Sequence, residues 1–384
     1  KLAGDTQVRA SSAEQSNTSV FFGEQLIMKM FRKLEPGSNP EVEVGRFLTE
    51  DHNFDHTPRA RGLAVAEIDG DESVLAFFQD YVPGHHDLFE HTFDGGVLML
   101  ERILASGRGL PSPAPLKHPL DVTAGDLDEA ADLMGTYLAE STLLGRRTAE
   151  MHLALASDPI DRVFAPERMS TLQQRSLYQA IRSTVRTSLS LLRRRRSKLE
   201  TDHADMIDRV IAAEAELLDK LKAITSERIE CDRIRIHGDF HLGQVLFTGN
   251  DFYIIDFEGE PQRPLSQRRL KRLALRDVAG MIRSYHYAVV RSMRQVAESG
   301  IDEEDRTTLE QWGVSIHSLL AAAFLHGYRE TVDGSGVVPQ DPDHFRLLLD
   351  ALIVEKAAYE LEYELNNRPD WIEIPLQGIL SILG

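Results

Sequence analysis

The sequence predicts a two-lobed α+β fold, with a small strand-rich lobe over residues 1–82 and a larger helical lobe over 83–384 into which a β-hairpin is set at 233–260. Three observations predict it. Short β-branched and apolar runs crowd the first 82 residues, helical periodicity dominates afterwards, and two strand-like runs joined by Thr248-Gly249-Asn250-Asp251 interrupt the helices.

Composition narrows the partners. With 61 Asp+Glu against 43 Lys+Arg the formal charge is −18, so the summed field repels phosphate and argues against nucleic acid or an anionic membrane as the main partner. Cys231 is the single cysteine, which excludes an intrachain disulfide and a thiolate zinc cluster and fits a reducing, cytoplasmic setting. No run approaches the ~18 apolar residues of a membrane span. The sequence opens on Lys1-Leu2-Ala3 without methionine and is expected to be part of a longer polypeptide.

In order along the chain, Gln7-Val8-Arg9 and Ser19-Val20-Phe21-Phe22 flank a polar loop, and Leu26-Ile27-Met28-Lys29-Met30-Phe31 is a third strand. Asn39-Pro40-Glu41 starts a helix, with Asn as N-cap and Pro at the first helical position, and Val44, Phe47 and Leu48 form its apolar face. Ala64-Val65-Ala66-Glu67-Ile68 and Ser73-Val74-Leu75-Ala76-Phe77-Phe78 close the lobe as strands. Helical spacing then covers 126–156, 172–224 (two helices) and 275–383, with Pro111-Ser112-Pro113-Ala114-Pro115 a stiff loop. The run Arg193-Arg194-Arg195-Arg196 precedes acids and reads as a solvated helix face rather than a nucleic-acid patch.

The chemistry concentrates in the hairpin. Phosphoryl transfer needs a carboxylate to orient or deprotonate the attacking hydroxyl and oxygen ligands to hold magnesium on the triphosphate. In His237-Gly238-Asp239-Phe240-His241-Leu242-Gly243-Gln244 the base is Asp239. Gln244 and Asp256, the latter closing Ile254-Ile255-Asp256-Phe257-Glu258, offer the metal oxygens. The spacing matches the kinase pattern HRDxxxxN followed by DFG, with Gly for Arg, Gln for Asn and Glu for Gly. The competing readings are a plain hairpin whose Asp and His residues cap turns, and an HxDxH metal-hydrolase site using His237 and His241.

Lys29 lies mid-strand, where an unpaired ammonium among apolar neighbours is costly, so it requires a carboxylate. Glu43 is the expected partner, standing as a kinase helix glutamate does; Glu41 is the rival, with an explanation of its own in the helix dipole. The polar loop 9–19 lacks GxGxxG but offers hydroxyls, amides and backbone N–H groups to a triphosphate, with Ser16 assigned to the nucleotide. Gln79 and Tyr81, at the end of the last lobe strand, form the hinge expected to offer backbone groups to adenine. Near the C-terminus Tyr359 and Tyr363 lie one turn apart beside Glu360, Glu364, Asn367 and Arg368. That mixed surface suits a sugar, and it also reads as a salt-bridged helix with aromatic packing.

HGDFHLGQVL, IIDFEGEPQRPLSQRR, LRDVAGMIRSYHYA, AEQSNTS with LIMKMFRKLEPGSNPEVEVGRFL, and YELEYELNNRPDWIEIPLQGI together resemble bacterial maltokinases, including the maltokinase-like domain fused behind trehalose synthase, over almost the whole chain. The resemblance implies a bilobal protein-kinase-like fold shared with aminoglycoside phosphotransferases, a cap subdomain truncated here, and transfer of the ATP γ-phosphoryl group to the anomeric hydroxyl of maltose. The maltose 1-phosphate formed would feed α-glucan synthesis. It implies Asp239 as base, Gln244 and Asp256 as Mg2+ ligands, Lys29 and Glu43 as the phosphate-binding pair, and Asp277 as a structural brace. Glu360, Tyr363, Asn367, Arg368 and Trp371 would meet the sugar. His85-His86-Asp87-Leu88-Phe89 departs from the Asn/Gln/Gly-Asp-Trp character expected after the hinge. Two alternatives stay open: a kinase with an aminoglycoside-type acceptor, and a non-catalytic domain scaffolding a fused trehalose synthase.

Overall fold

The computed structural model describes residues 6–11, 17–35, 37–68, 70–106, 118–199 and 203–383. The first half of the chain runs β1 (Val8–Ala10), β2 (Thr18–Phe22), β3 (Leu26–Met30), α1 (Pro40–Arg46), β4 (Ala60–Ile68), β5 (Asp71–Asp80), β6 (His86–Asp87), α2 (Leu88–Ala105), α3 (Ala124–Met134) and α4 (Tyr137–Leu155). Then follow β7 (Glu167–Arg168), α5 (Thr171–Arg195), α6 (Ala204–Ala212), α7 (Glu214–Lys222), β8 (Asp232–Arg233), β9 (Val245–Phe247) and β10 (Phe252–Ile254). The chain ends with α8 (Leu265–Arg268), α9 (Leu275–Ala297), α10 (Glu303–Val332), α11 (Pro342–Asn367) and α12 (Glu373–Leu380). The fold is mixed α+β, as the sequence predicts.

Two compact units divide the chain, the first comprising Lys1–Leu88, Glu150–Pro166 and Ile234–Arg272. Its sheet is antiparallel, in the order β1-β2-β3-β5-β4. Lys29 sits in the central β3, paired with Ser19 of β2 and Phe77 of β5. Asn39 caps α1 by accepting the Glu41 N–H at 2.9 Å, with Pro40 at the first helical position. The helix buries Val42 against Phe31 and Phe77, and full burial of a Phe side chain is worth about 1.5–3 kcal/mol. Gly45 permits the close approach, because a Cβ there would stand 3.1 Å from the Phe77 ring. Past α1 a single π turn, Phe47–Asp51, stacks the Phe47 ring on Phe164 at 3.6 Å.

The hairpin forms in the same unit. β10 pairs with β9 in the register Phe252↔Phe247, and β9 also pairs with β6, a short strand just past the hinge where the helical reading had none. Of the strand expected over 233–236, only Arg233 belongs to β8; Ile234 makes a single bridge to Arg272.

The second unit, Phe89–Ala149, Glu167–Arg233 and Leu273–Gly384, is helical around α11, which packs on α5, α9 and α12. The periodic stretch 126–156 breaks into α3 and α4 at Gly135, whose φ of +56° suits glycine. Helices α4 and α10 meet through Gly145 and Gly327; a Cβ on either would lie 2.0 Å from a carbonyl oxygen of the other helix. The arginine run behaves as a solvated face, with Arg193 bonded to Glu214 and Arg196 to Asp208. Residues 111–115 lie outside the described residues. No helix among the described residues is long and apolar enough to cross a membrane.

Candidate active site

The loop after Ile236 is held by one histidine. His237 donates from Nε2 to the Ile255 carbonyl at 2.8 Å and accepts the Asp239 N–H on Nδ1 at 3.4 Å. A carbonyl can only accept, so Nε2 carries a proton. The imidazole packs against Phe240 and Phe257 and ties the Asp239 backbone to the strand leading into Asp256. Both ring nitrogens of His237 are engaged by backbone groups, which argues against the HxDxH hydrolase reading. Gln244 is fixed through its backbone, donating to His241 O at 2.9 Å and accepting from Ile255 N at 3.0 Å, one residue before Asp256. Asp256 adopts φ +68°, left-handed backbone that a non-glycine residue holds at a cost of about 1–3 kcal/mol.

That backbone presents Asp256 to Lys29. The ammonium bonds Asp256 and Glu258 and lies 3.5 Å from Glu41 Oε2. Burial alone would lower the Lys29 pKa, but Glu41, Asp256 and Glu258 outweigh it and raise it well above the ordinary lysine range. Burial would likewise raise the Asp256 carboxyl, yet the Lys29 charge and hydrogen bond hold it below its ordinary value. Glu41, only 1% exposed, gains less from Lys29 than it loses to burial, and its carboxyl is pushed up to about 8.

Three acidic side chains, Glu41 largely protonated, thus face one ammonium. The Glu41, Asp256 and Glu258 oxygens lie within 4.8 Å of one another, and the buried Glu41 Oε2 has no hydrogen-bond partner. An all-oxygen, electron-rich set of this kind suits a hard divalent cation such as Mg2+. Asn17 braces it by donating to Glu258.

The expected Lys29–Glu43 pair is not formed. Two residues on a helix are about 200° apart, so with Glu41 turned to Lys29, Glu43 faces away and accepts from Arg235 at 2.6 Å and from Arg269 at 2.6 and 3.2 Å. The first-turn acid that the dipole explained is the lysine's partner. Sequence reasoning missed Glu258, Asn17, Arg235 and Arg269. An acid two residues past Asp256 and an arginine inside an apolar strand were the signals for Glu258 and Arg235; Asn17 and Arg269 carried none.

Ser16 lies outside the described residues. The Tyr81 N–H donates to Gln25 O at 3.1 Å, which leaves its carbonyl as the backbone group it could offer to adenine. Gln79 lies within β5, opposite Ile27.

The C-terminal residues gather in the second unit. Arg283 bonds Glu360 at 2.9 Å and the Ile374 carbonyl at 3.0 Å. Glu364, 1% exposed, accepts from two guanidinium nitrogens of Arg368 and from the Tyr287 hydroxyl. Trp371 carries the guanidinium groups of Arg294 and Arg368 at 4.4 and 5.3 Å and stacks with Tyr287. Asn367 donates to the Tyr363 carbonyl at 2.8 Å. Tyr363, 41% exposed, keeps the openly presented ring. Asp277 is buried on α9.

Residues 97–259 match the model of a family described as the phosphotransferase enzyme family. Similar curated proteins include two glucosamine kinases. One, from Streptacidiphilus jiangxiensis, is 24% identical over 387 residues, covering 98% of this chain and 74% of the relative. The other, from Mycolicibacterium smegmatis, is 23% identical over 379 residues, covering 98% and 79%. The solved structure of a glucosamine kinase in complex with glucosamine, ADP and inorganic phosphate shares the fold at a TM-score of 0.69 and 21% identity, over 99% of this chain and 76% of that one.

Proposed function

We propose that this chain is an ATP-dependent sugar kinase. The observation that carries the reading is the cluster in which Lys29 meets Asp256 and Glu258 at the end of the ribbon that begins with His237 and Asp239. Asp239 accepts the proton of the attacking sugar hydroxyl, while His237 holds its backbone. Lys29 binds the phosphates and offsets the charge that develops on them. Asp256, Glu258 and Gln244 would hold Mg2+, which supplies further neutralisation of the triphosphate.

For the acceptor, similarity to glucosamine kinases over 98% of the chain supports glucosamine. Maltose is the second reading. It rests on the maltokinase-like C-terminal motif and on Glu360 and Glu364, whose charges are already committed to Arg283 and Arg368, leaving them poorly suited to an ammonium. Incubation with ATP, Mg2+ and glucosamine, maltose, glucose or kanamycin, read as the mass of the phosphorylated product, separates these. A phosphorylated sugar supports the reading and its identity selects the acceptor. Transfer to kanamycin alone, or to nothing, overturns it, the latter leaving the scaffold for a fused trehalose synthase.

A further inference from the structure

We propose that Glu43 is a positioning residue of the nucleotide site, clamped by Arg235 and Arg269 so that α1 keeps the rotation that delivers Glu41 to Lys29. The proposal rests on the kinase reading above.

Helix α1 and the π turn that continues it span only Pro40–Asp51, no longer than the ~12–15 residues at which an isolated helix is marginal, so contacts with neighbours set its orientation. Two of those contacts are electrostatic and fall on opposite sides. On one, Glu41 reaches Lys29. On the other, Glu43 accepts two bonds from Arg269 through both oxygens and one from Arg235. Rotating the helix to relax either contact moves the other.

Arg235 is an unusual choice for the job. It is 1% exposed and stands four residues before Asp239. Burial lowers its pKa and the Glu43 charge opposes that shift, so the carboxylate is what makes the buried cation tolerable. Its guanidinium lies 5.4 Å from the Phe164 ring, and Phe164 stacks on Phe47, the residue that closes α1. The segment entering the Asp239 loop and the end of α1 therefore share one aromatic ring and one carboxylate. A buried ion pair is weak evidence of added stability, so its position has to be explained in another way.

The test is a double-mutant cycle on Mg·ADP affinity and on the KM for ATP, using the whole chain. Glu41→Ala is expected to weaken nucleotide binding about tenfold, the equivalent of ~1.4 kcal/mol. Glu43→Gln should weaken it in the same direction with a smaller change in kcat, and the double variant should be no worse than Glu41→Ala alone. Because Glu43→Gln strands a buried guanidinium and could fail to fold, Arg269→Gln, at the half-exposed end of the clamp, is run through the same cycle. Glu43→Asp should recover part of the affinity. Multiplicative losses, or a lowered Tm with wild-type nucleotide affinity and KM, would overturn the proposal. A wild-type chain that binds no Mg·ADP would instead sink the kinase reading, and this proposal with it.

Discussion

Glu41 and Glu43, two residues apart on α1, serve different cations: Glu41 stands 3.5 Å from Lys29, while Glu43 binds Arg235 and Arg269 at 2.6 Å each. The helix is thereby tied on one side to the sheet that carries the candidate phosphate-binding lysine, and on the other to the segment that leads into the candidate base.

Lys29→Met should be destabilising, because it leaves Asp256, Glu258 and Glu41 facing one another without a cation. Breaking a buried charge cluster by removing one member typically costs about 3–5 kcal/mol. Millimolar Mg2+ should restore more of the lost Tm to the variant than it adds to the wild type, since the metal replaces the missing charge. Thermal denaturation with and without Mg2+ checks this; equal Mg2+ effects on both proteins would count against the cluster as a metal site.

Glu41 also sets a pH dependence. Its carboxyl is raised from 4.5 to about 8 by burial, so the folded chain holds a proton there that the unfolded chain releases. The stabilisation from that proton is complete below pH 4.5 and disappears as pH rises towards 8. Glu41→Gln should remove this component, making the urea midpoint fall less between pH 5 and pH 8 than in the wild type. Parallel profiles for the two proteins would refute the assignment.

Legibility in the sequence followed how local each signal was. The Asn39-Pro40 helix start, the β3 run around Lys29 and the hairpin carrying Asp239, Gln244 and Asp256 were all readable, because capping, alternation and turn chemistry act over a few residues. The choice between Glu41 and Glu43 was not. It depends on which face of α1 turns to β3, fixed by Val42 packing on Phe77 and by two arginines some 190 residues and more along the chain. The break of 126–156 at Gly135 and the two-residue β6 were hidden for a similar reason: a positive φ and a two-residue pairing leave almost no periodic trace.

Glu360→Ala should cost about 3 kcal/mol in stability, because it leaves Arg283, buried between Glu360, His286 and the Ile374 carbonyl, without its carboxylate. Chemical denaturation measures that cost. A stable variant with a raised sugar KM would instead make Glu360 a substrate ligand.

Gly327→Ala should destabilise by about 1–3 kcal/mol or more through overpacking, as its Cβ would fall 2.0 Å from the Thr142 carbonyl oxygen and force α4 and α10 apart. A Tm unchanged from wild type would contradict the helix crossing.

The central claim is that the ribbon from His237 to Asp256 transfers phosphoryl groups with Asp239 as its base. The most direct measurement compares wild type and Asp239→Asn for transfer of labelled γ-phosphoryl from ATP to sugar, with ADP affinity determined on the same samples. The account predicts a loss of ~10² or more in turnover with ADP affinity unchanged. Near-wild-type turnover in Asp239→Asn would contradict it.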